Sequence, residues 1–269
     1  MEIDNNRVTA LILAGARPGK DPVAEWTGVP YKVLAQVGGE PMIERVLRAV
    51  GEAATVKTRV LCGPSWKILE EYSSPRSPIR SGQIGWEEPQ KGPSGSVLAF
   101  LKNHPSEIPL LVTTGDHALL TADIIDYFVR EARRSNVDVA FGLVAHSLVA
   151  KAFPGTKRTV LRFGKERFCT CNLFLFFSPQ AIRLVEFWGQ LEQDRKHPIR
   201  MIRRLGMRMV IRYLLRQLTL SECLRKLGQR LELQIQEVWL PFPQAAIDVD
   251  KPEDLLLVRQ ILTRQPPKS

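Results

Sequence analysis

The chain has 269 residues, of which 44% are hydrophobic and 25% charged. These proportions suit a globular protein with a sizeable core and exclude a disordered, collagenous or fibrous chain. Four cysteines are too few for a disulfide scaffold, and no apolar run reaches the roughly 20 residues that span a bilayer. Lys and Arg number 38 against 28 Asp and Glu, a net charge of +10, which predicts affinity for an anion such as a nucleotide, a phosphorylated metabolite, nucleic acid or an acidic membrane. Met1–Arg7 is acidic and amide-rich and lacks the basic region of a signal peptide, so a soluble cytoplasmic protein is expected.

In chain order, Val8–Leu13 (VTALIL) reads as a buried parallel strand ending in a Gly- and Pro-bearing loop over 14–20. A helix follows Pro41, with Ile43, Val46, Leu47 and Val50 on one face. Arg59–Cys62 reads as a second strand closed by Gly63-Pro64, and 65–72 as a helix followed by a loop over 73–80. The turn over 90–96 opens a helix carrying Val97, Phe100 and Leu101. A third strand, 109–112, runs into Thr113-Thr114-Gly115-Asp116-His117, and Thr121 is placed to cap the helix 122–134. Strands are expected at 137–144, 159–163, 172–177, 231–240 and 246–249, with helices at 179–193 and 252–262.

This order predicts one α/β domain over 1–269, a three-layer, Rossmann-like, mostly parallel mixed sheet, with a basic helical insertion over 194–230. Ligands of such sheets bind beyond the carboxyl ends of the strands. The loops at Gly15, Gly92 and Gly115 all begin there, as does Gly63.

The first loop carries Arg17, Lys20 and, further on, Lys32. Glycine lets backbone N–H groups approach a phosphate, and the cations neutralise its charge. The spacing does not fit GxxxxGK[ST], which disfavours a P-loop ATPase. Asp116 should emerge at the carboxyl edge, placed either to cap a turn or to hold Mg2+ beside a phosphate loop. Asp248 and Asp250 alternate just before the last helix, where Asp250 is also a candidate N-cap. Asp116 and Asp250 together make the carboxylate pair that a metal on nucleotide phosphates requires.

The set Leu11-Ile12-Leu13-Ala14-Gly15-x-Arg17, then Lys32, then Gly39-x-Pro41-Met42 resembles the opening signature of the MobA-like and sugar-phosphate nucleotidyltransferases, enzymes with a glycosyltransferase-A-type fold. Ser94-Gly95-Ser96 is similar to their nucleoside-recognition turn, Thr114-Gly115-Asp116 to their metal-binding strand end, and Asp248-Val249-Asp250-x-Pro252-Glu253-Asp254-Leu255 to their C-terminal metal motif. This chain departs from the pattern in having Ala16 before Arg17, His117-Ala118 after the aspartate and Tyr31 before the lysine. The resemblance implies transfer of NMP from an NTP to a phosphorylated acceptor, small or lipid-linked, with release of pyrophosphate. It implies nucleotide contacts at Ala14, Gly15, Ala16, Arg17, Gly19, Lys20, Gly63, Gly92, Ser94, Ser96 and Gly115, catalytic roles for Arg17, Lys32 and Asp116, and Mg2+ on Asp116 and Asp250. The acceptor is assigned to Asn172, Arg200, Arg204 and Arg208.

Residues 195–221 hold no acid, while Arg200, Arg204, Arg208, Arg212 and Arg216 recur every four residues, one stripe if the segment is helical. Gly206 weakens its middle, so one helix or two shorter ones are expected. The segment reads as a lid whose arginines bind the acceptor, or as a surface lying on an anionic membrane. With Tyr213 its only aromatic, it lacks a stacking platform for nucleic acid. Two other functions remain open to the sequence: a glycosyltransferase of the same fold and a non-catalytic nucleotide-binding or membrane-docking module.

Overall fold

A computed structural model of the chain describes residues 7–16, 19–73, 77, 79, 82–194, 200, 204 and 206–264. Its strands are β1 (Val8–Leu13), β2 (Gln36–Val37), β3 (Glu40–Pro41), β4 (Val56–Cys62), β5 (Ile84–Glu87), β6 (Leu110–Thr114), β7 (Val139–Ala145), β8 (Leu161–Phe163), β9 (Glu166–Phe176) and β10 (Ile235–Trp239). The main sheet runs β10-β7-β9-β6-β1-β4-β5, with β8 hairpinned onto β9. Pairing is parallel except at β9, which runs antiparallel to β6, β7 and β8. The expected three-layer mixed sheet is what the chain forms.

Alternation along β1 divides the core. Val8, Ala10 and Ile12 pack with the helices α2 (Met42–Glu52) and α5 (Ala122–Ala132), while Leu11 packs with α4 (Gly92–Asn103) and α7 (Ile182–Gln193) on the other side. A strand buried on both faces needs apolar residues in both registers, which VTALIL supplies. Ile43, Val46, Leu47 and Val50 are fully buried on α2 as their spacing predicts. Thr121 caps α5 through the Ile124 N–H, also as expected.

Other expectations need correction. β4 begins at Val56, and Thr113 and Thr114 belong to β6. β5 (IGWE) is short and glycine-bearing, with no apolar run to reveal it. β9 is one long strand from Glu166, interrupted where Asn172 takes φ +50° and the register with β7 shifts. The expected strand 231–240 is shorter than predicted: Leu231 ends α9 (Leu220–Leu231), Glu232 takes φ +54°, and β10 spans Ile235–Trp239. Residues 246–249 form no strand; a 3₁₀ turn (Pro243–Ala246) leads into extended chain before α10 (Pro252–Arg264). The basic stripe does not lie on a single helix. Gly206 at φ +92° starts α8 (Met207–Leu214), and Arg216 at φ +57° separates it from α9. Among the described residues, no helix is long and apolar enough to cross a membrane.

Candidate active site

β1 and β6 are parallel neighbours, yet the chain leaves β1 toward β4 and β5 before returning to β6. Their carboxyl ends flank the point where strand order reverses, the usual ligand crevice of such sheets. The edge is laced one residue past the strands: the Ala14 N–H donates to Cys62 O at 2.7 Å and the Gly115 N–H to Leu13 O at 2.8 Å. Gly63 and Gly115 at this edge serve close packing. A Cβ on Gly63 would stand 2.8 Å from the Ala14 Cβ, and one on Gly115 2.8 Å from Ile43 Cδ1. The Ala14 and Gly115 N–H groups are therefore engaged within the sheet; among the described residues, no carbonyl engages those of Gly15 and Ala16.

Lys32 stands on a 3₁₀ turn anchored by the buried Val33 and Leu34. Its ammonium lies 2.6 Å from Asp116 Oδ2 and 2.9 Å from Asp250 Oδ1, and it donates to Val249 O at 3.1 Å. The Val249 N–H in turn donates to Asp116 O at 3.2 Å, which fastens the C-terminal motif to the end of β6. Three residues from the two ends and the middle of the chain thus meet at one sheet edge. Side-chain exposure is 12% for Lys32 and 8% for Asp116, but 47% for Asp250, so the cluster is a floor with one open wall. Burial works against the Lys32 charge, but the Asp116 and Asp250 carboxylates outweigh it and hold the lysine above its ordinary pKa.

The last helix begins at Pro252, so Lys251 rather than Asp250 holds the position just before it. Asp254 reaches back instead, accepting from the Asp250 and Lys251 N–H groups at 3.2 Å each, and this leaves the Asp250 side chain facing Lys32. Arg158 braces the same motif, bonded to Asp254 Oδ1 at 3.1 Å and to the Asp248 carboxylate. Asp248 thus faces Arg158 and Asn172 while Asp250 faces Lys32.

The donor set fits Mg2+. Asp116 and Asp250 offer hard carboxylate oxygens, and Asp116 Oδ1 is buried without a hydrogen-bond partner, an atom that a cation would satisfy. No group of three or more His, Cys, Asp or Glu suited to a metal exists among the described residues, so further ligands would come from phosphate and water.

On the nucleotide side, Arg17 lies outside the described residues. Gly19 takes φ +107°, and Lys20 is exposed beside Glu25 at 3.0 Å, away from the buried cluster. Ser96 closes its own turn, accepting from the Gln90 N–H at 2.9 Å and donating to Gly92 O at 3.3 Å. Ser94 donates to the Glu192 carboxylate, whose Oε2 lies 3.0 Å from where a Gly92 Cβ would be. A carboxylate from α7 therefore sits over the first turn of α4.

On the acceptor side, Asn172 donates to Asp248 Oδ2 at 2.9 Å, its left-handed backbone turning the amide toward the motif. Arg204 is ion-paired with Asp194 and donates to Gln190 Oε1 at 2.7 Å, and Arg200 lies 4.0 Å from Asp194. Arg208 is exposed on α8. Arg200 and Arg204 thus gather on the end of α7 rather than at the Lys32 cluster. His117, beside Asp116, is buried against the Gln244 and Ala245 backbone, and burial lowers its pKa to about 4, so it is neutral. Sequence reasoning missed Arg158, Asp254 as a brace, and Glu192. The acid at 254 was legible in the C-terminal motif; Arg158 and Glu192 belong to no local pattern.

Comparisons with known proteins bear on the fold and the family. A protein of Bdellovibrio bacteriovorus described as bifunctional protein GlmU is 29% identical over 112 residues, which make up 40% of this chain; the chain spans only 23% of that relative's length. A hypothetical transferase of Thermus thermophilus superposes with a TM-score of 0.72 at 25% identity, covering 93% of this chain and 99% of its own. A CMP:2-keto-3-deoxy-manno-octonic acid synthetase solved with CTP shares the fold at a TM-score of 0.58 and 15% identity, with 96% and 99% covered. The family model for the MobA-like NTP transferase domain matches residues 10–231, and the chain belongs to that family.

Proposed function

We propose that the protein is a Mg2+-dependent nucleotidyltransferase that moves NMP from an NTP to a phosphorylated acceptor and releases pyrophosphate. The observation that carries this reading is the convergence of Asp116 and Asp250 on Lys32 at the carboxyl edge of β1 and β6. An acceptor phosphate oxygen attacks the α-phosphorus, the bond to the bridging oxygen of the β-phosphate breaks, and pyrophosphate departs with that electron pair. The attacking oxygen is already anionic, so no general base is required, and the protein's work is positioning and charge cancellation. Bound on Asp116 and Asp250, Mg2+ supplies Lewis-acid neutralisation of phosphate oxygens. The Gly15 and Ala16 N–H groups donate to the triphosphate. Lys32, charged at neutral pH, stabilises the α- or acceptor phosphate. Arg158 and Asp254 keep the Asp250 backbone in place and are positioning residues.

The test incubates the purified chain with each of the four NTPs, Mg2+ and a panel of sugar, polyol and isoprenoid phosphates, following pyrophosphate. CTP is a natural first choice because the fold neighbour just described was solved with it. Pyrophosphate release that depends on one NTP and one acceptor, and falls by two to three powers of ten in Asp116→Asn, is expected. Turnover of a nucleotide sugar without pyrophosphate release, or NTP binding without turnover, would overturn it in favour of a glycosyltransferase or a non-catalytic module.

A further inference from the structure

Helix α8 buries none of its residues. Met207, Ile211, Leu214 and Leu215 are 60%, 48%, 72% and 60% exposed, and their spacing of four, three and one places them along one side of the helix. The opposite side is held down. Tyr213 packs against Phe163 of β8 with ring centroids 5.1 Å apart, and Arg212 bonds the Glu222 carboxylate and, at 2.8 Å, Gln217 O. The apolar ridge is therefore displayed by a tethered helix.

Cations surround it. Arg208 and Arg216 are exposed on α8 and its exit. In the hairpin beneath, Lys165 and Glu166 are exposed at the turn, and Arg162 of β8 stands opposite Arg167 of β9 on the strand face turned away from the Phe163 that meets Tyr213. Like charges directly across a strand pair repel. Among these cations and the described residues, Arg212 is the one with a carboxylate partner. An exposed aliphatic ridge flanked by Arg208, Arg216 and Lys165 matches a helix lying in the interface of an anionic bilayer. A second copy of this chain would bring the same cations, on a net charge of +10, against them, and a ridge without a groove offers a rigid partner little to interlock with.

We infer that α8 and the β8–β9 turn dock the protein on an anionic phospholipid surface, with Met207, Ile211, Leu214 and Leu215 in the apolar layer and Lys165, Arg208 and Arg216 among the headgroups. The patch lies close to the reaction edge. Arg158, bonded to Asp248 and Asp254, precedes β8 by three residues, at most about 11 Å of extended chain. The consequence for the acceptor, a phosphate presented from the membrane, rests on the proposed nucleotidyl transfer; the docking itself does not.

The experiment is co-sedimentation of the full chain with phosphatidylcholine vesicles, with and without about one third phosphatidylglycerol. Binding to the anionic vesicles that weakens in high salt is expected, falling about tenfold or more in Ile211→Gln/Leu214→Gln. Both positions are exposed, so the variant should keep the wild-type melting temperature and its rate with a soluble acceptor. Absence of binding to anionic vesicles, or equal binding by the variant, overturns the inference. So does a wild-type dimer in sedimentation velocity that the variant dissociates, since the ridge would then join two copies. Docking without nucleotidyl transfer would overturn the reaction proposed above and leave the surface assignment standing.

Discussion

Replacing Lys32 by methionine removes one ammonium and keeps most of its aliphatic stem. The loss falls mainly on Asp116, 8% exposed and 2.6 Å from the nitrogen. Breaking one side of a buried ion pair costs about 3–5 kcal/mol. The contact with Asp250, whose side chain is 47% exposed, is screened and contributes at most about 1 kcal/mol. Because Lys32 retains some exposure, the lower end applies, and Lys32→Met should destabilise the ligand-free protein by about 3 kcal/mol, or lower Tm by about 6–12 °C for a chain of this size. The sign of the pH dependence is fixed by the raised Lys32 pKa. Its stabilisation is complete below the ordinary lysine range and is lost as pH rises through the higher folded value, so the wild type and Lys32→Met should converge in strong alkali.

The same substitution changes what the site binds. The Asp116 and Asp250 oxygens lie 2.6 Å and 2.9 Å from one nitrogen and so are at most about 5.5 Å apart. Without the ammonium they form a site of charge −2 in which one oxygen, Asp116 Oδ1, is already buried and unpartnered. Mg2+ alone should then stabilise Lys32→Met, by about 2.7 kcal/mol at 100 times its Kd, and stabilise the wild type much less. Nucleotidyl transfer should fall by two to three powers of ten. Thermal melts in EDTA and across a Mg2+ series, alongside pyrophosphate release, separate these effects. Unchanged stability in EDTA, or the same response of both proteins to Mg2+, would refute the reasoning that Lys32 serves as counter-ion to both carboxylates.

Asp126 of α5 accepts from the Ala54 and Thr55 N–H groups at 3.1 and 2.9 Å and from Thr55 Oγ1 at 2.7 Å; burial opposes its charge, but these donors prevail and depress its pKa. Its stabilisation is present above the ordinary carboxylate range and fades as pH falls through the lower folded value, so Asp126→Asn should cost about 1–3 kcal/mol near neutrality and flatten the acid limb of a Tm–pH curve. Arg158→Met leaves the Asp248 and Asp254 carboxylates without their cation; about 3 kcal/mol of stability should be lost, measured by urea melts, together with transfer rate as Asp250 loses its brace. Gly63→Ala puts a methyl 2.8 Å from the Ala14 Cβ; about 1–3 kcal/mol of overpacking is expected, with KM for the nucleotide rising more than kcat falls, because the displaced loop carries Gly15 and Ala16.

The sheet was legible wherever burial left a local mark. VTALIL and the α2 face could be read because a strand covered on both sides, or a helix covered on one, forces an apolar period on adjacent residues. β5 escaped because a short edge strand with a glycine has no period to show. The start of the 231–240 stretch was misread because the alternation of Leu231, Leu233 and Ile235 runs unbroken from the end of α9 into β10, while the break between them is a backbone torsion at Glu232. Lys32, Asp116 and Asp250 were each found, the aspartates at the ends of motifs and the lysine in the first loop's charge pattern. Arg158 and Glu192 were not, since each acts on a segment far along the chain.

What the sequence could not convey about the three found residues is that they share one charge balance. Taken singly, Lys32 reads as a phosphate ligand and the aspartates as metal ligands. Brought together, one ammonium serves as the shared counter-ion of two carboxylates at a mostly buried edge. In the proposed reaction Asp116 and Asp250 would hold the metal, which would supply their counter-charge and leave the Lys32 ammonium to the phosphates. The lysine can therefore turn from carboxylate to phosphate with its charge compensated at both ends, and the ligand-free edge avoids the cost of two bare carboxylates. The exposed wall at Asp250 is the side on which that exchange can begin, since its contact with Lys32 is the more solvated of the two.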